Sequence, residues 1–414
     1  MSFKINDYTK SREMFERAEK VIPSGVYGHL GPAEGCFIPV SAFPLFGDRA
    51  QGSYFWDVDG NKFIDYMCAY GPNVLGYNDP DVDAAALEQA KKCNCTTSPS
   101  YKAVEFAELL VDTVNCADWA FFAKNGNDVT ARAHTHRKKI IFINGFYHGI
   151  SPWTQKVDYP GVLEEDVANN IYIDWNDIPA LERVIAENEG EIAAFISTPY
   201  LHGNFFDNQL PADGYWQKVR ELCTKNGIVL IVDDVRAGFR LDIAGSDHFY
   251  GFEADLICFC KALANGWNVS ALCGKEFLKS SISSLSYTGS YWLSAIPFAA
   301  GIACINKMKK LNTPALFREK GLKVGEGLKA AAANNGFHLV VSGEPSLFYL
   351  RLADDDSLML HQEWVAEMVK RGIFITSHHN HFLNASLTDE DIAHTVDVAE
   401  DAFNTLRKNH PELA

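Results

Sequence analysis

GIVLIVDD, residues 227–234, and ADLICFCK, residues 254–261, are the stretches that decide how this chain folds. Each is a short apolar run that does not alternate with polar residues and that stops at a charged side chain. A strand apolar on both sides is buried on both faces, as happens in a parallel sheet covered by helices. Working outward, KKIIFING (138–145) and IAAFIST (192–198) repeat the pattern. Stretches of helical periodicity separate these runs, and the alternation extends from about residue 76 to residue 310. The fold class expected is therefore α/β, a large domain with a mostly parallel sheet flanked by helices.

After residue 311 the pattern changes to helix, strand, strand, helix, carried by 317–336, HLVVSGEP (338–345), SLFYLRL (346–352) and 389–408. This predicts a smaller α+β C-terminal domain over 311–414. Residues 1–75 open with an amphipathic helix and continue into a hairpin, SYFWDVDGNKFIDY (53–66), with Asp59-Gly60 at the turn. That segment is expected to pack on the C-terminal domain rather than fold alone.

The chain of 414 residues is long enough for a large domain plus a small one. It carries 47% hydrophobic and 22% charged residues and no uninterrupted apolar run of membrane-spanning length, the composition of a globular protein. The first twenty residues mix acids and bases around no apolar centre, so a cytoplasmic location is expected. A net charge of −16, spread along the sequence, repels nucleic acid and argues against such a partner. The ten cysteines include no C-x-x-C. Cys258 and Cys260 alternate along an apolar run, as reduced cysteines packed in a strand do. His378, His379 and His381 in HHNHF lie in a strand-like stretch that points neighbours to opposite faces, so no metal is expected there.

In open α/β sheets ligands bind beyond the carboxyl ends of the strands. Here one strand ends in Asp233 and Asp234 and the next in Lys261, 28 residues after Asp233 (261 − 233). An amine and a carboxylate so placed are what pyridoxal 5'-phosphate needs. The lysine forms a Schiff base with the aldehyde, and the carboxylate keeps the pyridine nitrogen protonated. A plain Asp–Lys ion pair is the alternative, and it weakens when other strand ends are added. FFAKNGNDVT (121–130) turns into a helix with Asn125, Gly126 and Asn127 placed to offer amides to a phosphate. FYHG (146–149) follows another strand and sets Tyr147 to lie against a flat ring, with His148 beside it.

These residues resemble the class-III aminotransferases of fold type I, in the branch typified by glutamate-1-semialdehyde aminomutase. The resemblance runs from WDVDGNKFIDY (56–66) through YGPNVLGYNDPDV (70–82) to HNHFLNASLTDEDI (379–392). The family motif D-E-V-x-x-G-F-R stands here as DDVRAGFR (233–240), which implies Asp233 on the pyridine nitrogen and Val235 on the ring face opposite Tyr147. The lysine motif stands as CFCKALANG (258–266) and implies the Schiff base on Lys261. The phosphate loop corresponds to Asn125-Gly126-Asn127-Asp128, with Asn125 and Asn127 in place of hydroxyl residues, and Thr288, Gly289 and Ser290 match the stretch that members lend to the partner's phosphate. A homodimer with shared active sites is implied, acting on a small-molecule amine or amino acid.

Three departures stand out. The stretch after Thr130 is shorter than the family pattern by roughly two helical turns, about seven residues. The family's Glu-Pro after the strand IAAFIS is Thr198-Pro199 here. The N-terminal loop, SGVYGHLGPAEG (24–35), holds Tyr27 and His29 but no arginine to bind a substrate carboxylate, which leaves Arg236 as a substitute. Transamination is the reaction expected, with an intramolecular aminomutase or an epimerase as alternatives on the same scaffold. A non-catalytic protein retaining the fold is the reading from another class, and Lys261, Asp233 and Tyr147 together speak against it. A nicotinamide-dependent dehydrogenase is excluded because no G-x-G-x-x-G follows a strand.

Overall fold

The computed structural model describes residues 3–26, 42–44, 46–123, 128–157, 159–286, 288–353 and 355–413. The chain divides into two compact units, one formed by 80–203 with 209–314, the other by 1–79, 204–208 and 315–414. The five-residue excursion at 204–208 has no counterpart in the sequence pattern.

The unit containing Lys261 is built on a seven-stranded sheet. Its strands are β1 (Trp119–Ala123), β2 (Lys139–Ile143), β3 (Asn170–Ile173), β4 (Ile192–Ser197), β5 (Val229–Asp233), β6 (Leu256–Phe259) and β7 (Ser270–Gly274), in the order β1-β7-β6-β5-β4-β2-β3. The pairs from β6 to β3 are all parallel, whereas β7 runs antiparallel to both β1 and β6. The sheet is thus mostly parallel, as expected. One face packs Ile140, Phe142, Ile196, Ile231, Leu256 and Leu272 into a single core cluster. The alternate residues Ile141, Phe195, Leu230, Val232, Ile257 and Phe259 are buried on the other. Burial on both faces is why these strands read as continuous apolar runs. Each such side chain stabilises the fold by on the order of 1.5–3 kcal/mol.

Helix α1 (Asp128–Thr135) is eight residues long before the chain enters β2. Thr130 and Ala131 on it are fully buried. Among the described residues no helix is long and apolar enough to cross a membrane.

The other unit starts with the helix Thr9–Ala18 and the antiparallel strands Tyr54–Asp57 and Lys62–Asp65. At the turn between them Asp57 Oδ1 accepts from the amides of Asp59 and Asn61, and Gly60 takes φ +86°. The later strands Leu339–Glu344 and Leu347–Leu352 form a second antiparallel pair, flanked by the helices Thr313–Asn334, Met359–Lys370 and Asp389–Asn409. The last begins with a capping box in which Thr388 and Asp391 exchange side-chain and backbone bonds. His378, His379 and His381 are buried in this unit, and His378 stacks on Phe205.

Candidate active site

Beyond the carboxyl ends of β2, β4, β5 and β6 lies a cavity of about 290 Å³ whose lining includes Tyr147, His148, Val235, Asp233, Arg236 and Lys261. Six residues singled out in the sequence, from three separate segments, therefore meet at one place. Parallel strands bring their C-terminal ends to the same edge, so polar residues just past those ends converge.

Lys261 is the first residue after Cys260, which leaves β6, and it takes φ +38°. A non-glycine residue in that region is strained, and such strain gathers at functional sites. Its amine is pushed down to about 8, chiefly by burial and then by the positive charge of Arg236. Near pH 8 about half of the lysine is then a neutral amine.

Asp233 closes β5. Burial pushes its carboxyl up, but the bond and charge of His148 and the Val235 amide outweigh that, and the net direction is downward. His148 Nδ1 lies 2.7 Å from Oδ2, and the Val235 amide donates to Oδ1 at 3.1 Å. Asp234 turns away: it accepts from Ser246 N at 2.9 Å and from Ser246 Oγ at 2.5 Å, and burial raises it to about 7. The two adjacent acids have separate jobs, one facing the cavity and one tying down the following loop. Gly238 makes this corner possible, because a Cβ there would meet Asp234 O at 2.5 Å and the Phe259 ring at 2.7 Å.

Arg236 Nη1 donates to the carbonyl of His202 at 2.7 Å, and burial lowers its pKa. Tyr147 stands on the cavity wall with 56% of its surface exposed. Thr288, Gly289 and Ser290 lie outside the cavity lining, Thr288 and Ser290 exposed and Gly289 folded against Trp292. Asn125, Gly126, Asn127, Tyr27 and His29 fall outside the described residues. The cavity also draws in Thr198, which stands where the family has a glutamate, and Trp153, His202, Cys260 and Ser270, which the sequence did not single out for the site. His202 follows β4, so the rule of reading strand ends could have found it.

The residues present fit a flat pyridine aldehyde. An ionised carboxylate has about four lone-pair positions. Those of Asp233 are engaged here by one ring nitrogen and one amide, leaving room for a pyridinium N–H. Val235, Ile196 and Ala271 supply apolar walls, and Lys261 supplies the amine.

A lysine and an aspartate on adjacent strand ends of this mixed sheet define a pyridoxal-phosphate enzyme of fold type I. The chain belongs to the class-III aminotransferases: the pattern of the family described as Aminotransferase class-III matches residues 38–403, and this family uses pyridoxal phosphate. The chain is 37% identical to an aminopentol aminotransferase of Sphingopyxis macrogoltabida, over 98% of its own length and 96% of the relative. It is 31% identical to a glutamate-1-semialdehyde 2,1-aminomutase of Desulforamulus reducens, over 97% and 99%. Among solved structures, the internal-aldimine form of the FumI protein of Sphingopyxis sp. superposes with a TM-score of 0.93 at 36% identity, covering 98% of this chain and all of that one (100%).

Proposed function

We propose that this aminotransferase moves an amino group from an amine lacking a nearby carboxylate to a carbonyl acceptor, with Lys261 as its catalytic residue. The observation that carries the reading is the convergence of Lys261, Asp233 and Arg236 on one cavity whose lysine is tuned to about 8. When bound, pyridoxal phosphate supplies an electron sink that lets a proton leave the carbon bearing the amino group. Lys261 Nζ would hold the cofactor, and its amine would take up the proton that leaves the substrate carbon. Asp233 would keep the ring nitrogen protonated, Val235 and Tyr147 would flank the ring, and His148 orients Asp233. Asn125, Gly126 and Asn127 are assigned to the phosphate, as are Thr288, Gly289 and Ser290 of a second copy in a homodimer.

The substrate class follows from charge. No lysine or arginine occurs between Lys20 and Arg49, the stretch that includes Tyr27 and His29. Arg236 is engaged with the His202 carbonyl. Its positive charge is assigned to the carboxylate of a keto-acid acceptor rather than to the amine. An amine donor without a carboxylate accords with the relative named for aminopentol. The sequence resemblance to the aminomutase branch keeps an intramolecular transfer as the second reading, and a relative of that name is 31% identical. The missing N-terminal arginine disfavours it.

Incubating the protein with pyruvate and a panel of amines and amino acids tests this. Alanine formation driven by carboxylate-free amines is expected. Turnover restricted to a diamine or amino aldehyde, with no external acceptor needed, would establish the aminomutase instead.

A further inference from the structure

The stretch 288–294, assigned above to the phosphate of a second copy, contains no helix or strand of its own, so its shape depends on what holds it. Within it Trp292 N donates to Gly289 O at 3.0 Å, and the Trp292 ring stands edge-on to Phe121 of β1, with centroids 6.4 Å apart at 89°. Further support comes from a segment far earlier in the chain. Cys95 Sγ donates to the Ser290 carbonyl at 3.3 Å.

Asn94 acts at the other end of the stretch, where the helix Ala295–Leu311 begins. A helix start leaves its first N–H groups without intrahelical partners, and the residue just before the helix ordinarily offers them a side-chain acceptor. Ser294 holds that position and does not: its Oγ donates back to Tyr291 O at 2.9 Å. Asn94 takes over the task. Its carbonyl accepts from Ala295 N at 2.9 Å, and its Oδ1 accepts from Ile296 N at 3.2 Å, across 202 residues of sequence. The third helical residue is Pro297, which has no N–H to satisfy. One residue from outside thus meets each donor that the first three helical positions possess. The segment carrying Asn94 is itself tied down, since Cys93 N donates to the carbonyl of buried Gln89 at 3.0 Å and Gln89 Nε2 donates to Cys93 O at 2.9 Å.

We propose that Asn94 is a positioning residue for the cofactor phosphate: by capping this helix from outside, it fixes where the stretch 288–294 ends, and so where Thr288 and Ser290 present their hydroxyls to the second copy. The inference rests on the assignment of those hydroxyls made above and adds the residue that aims them. Loss of the Asn94 side chain removes the Oδ1 bond and leaves the backbone bond in place. What suffers is recognition of a phosphate. Lys261 and Asp233 lie on other elements, so the amine and the carboxylate keep their places.

The test compares pyridoxal 5'-phosphate with pyridoxal, which lacks the phosphate, by absorbance titration of protein freed of cofactor. The ratio of the two dissociation constants isolates what the phosphate contributes. Asn94→Ala is expected to reduce that ratio at least about threefold, a typical effect of losing a helix cap. Asn94→Asp keeps an acceptor at the same point and restores it. Thr288→Ala combined with Ser290→Ala reduces it at least as far. An unchanged ratio in Asn94→Ala overturns the proposal, and so does an equal weakening of both ligands, which is what a merely structural cap produces. A reduced ratio that comes with dissociation into single chains on gel filtration also overturns it, because the loss then reports assembly. If the Thr288 and Ser290 substitutions leave the ratio unchanged, the phosphate role of the stretch fails first and this inference falls with it.

Discussion

The Nδ1 atom of His148 lies 2.7 Å from Oδ2 of Asp233, and both side chains are buried. The carboxylate on which the ring nitrogen depends is therefore held from behind by an imidazole. His148 is the largest of the influences that lower Asp233 against the upward push of burial. Removing it shifts Asp233 back up. In His148→Phe the acid limb of the kcat/KM–pH profile is expected to move to higher pH and cofactor affinity to fall. Asp233→Asn should lose on the order of 100- to 1000-fold in kcat. An acid limb unmoved in His148→Phe would separate the imidazole from Asp233 function.

Lys261 has a folded pKa of about 8 against 10.5 for a free lysine. Only the neutral amine attacks an aldehyde, so cofactor uptake by the cofactor-free protein should accelerate with pH and level off above about 8. In Arg236→Gln the midpoint moves upward, because a neighbouring positive charge is gone. The linkage has a definite sign. Between about pH 8 and the unfolded value the unfolded chain holds the extra proton, so stability of the cofactor-free protein rises with pH across that window. Lys261→Met should raise its Tm at pH 7 by about 1–3 °C, a gain that shrinks as pH passes through the window. Stopped-flow absorbance and calorimetry measure the two effects.

Gly238→Ala places a methyl 2.5 Å from the Asp234 carbonyl and 2.7 Å from the Phe259 ring, neither of which is a flexible chain end. A loss of about 1–3 kcal/mol is expected, together with weaker cofactor binding, since the same corner sets Asp233. Urea unfolding read alongside cofactor titration checks both. Full stability in the alanine variant would contradict the packing described.

Acid should destabilise the fold through buried neutral histidines. Burial lowers His361 to about 4 and His202 and His381 to about 3, from an ordinary value of 6.5. Below about pH 6.5 the unfolded chain takes up protons that the folded chain refuses, so stability is lost progressively as pH falls from there. Replacing His381 by Phe should flatten the decline of Tm between pH 6.5 and 4.5. An unchanged slope would show that this imidazole titrates equally in both states.

The parts of this fold that could be read in the sequence are those fixed by local patterning. β2, β4, β5 and β6 announce themselves because burial on both faces demands unbroken apolar runs, and Asp233 and Lys261 stand out because charge abruptly ends such runs. The antiparallel insertion of β7 between β1 and β6 was not legible, since pairing partners leave no mark on a five-residue strand. Nor was the His148–Asp233 bond, which joins residues 85 apart through the sheet rather than through any motif. His202 escaped for a related reason: a histidine after Pro199-Tyr200-Leu201 has no periodicity to mark it.

The most direct measurement is borohydride reduction of the pyridoxal-phosphate-loaded protein followed by peptide mass spectrometry. One modified residue is expected, Lys261, in the peptide spanning CFCKALANG, and no modification in Lys261→Ala. A label on another lysine, or none on a protein that transfers amino groups, would contradict it.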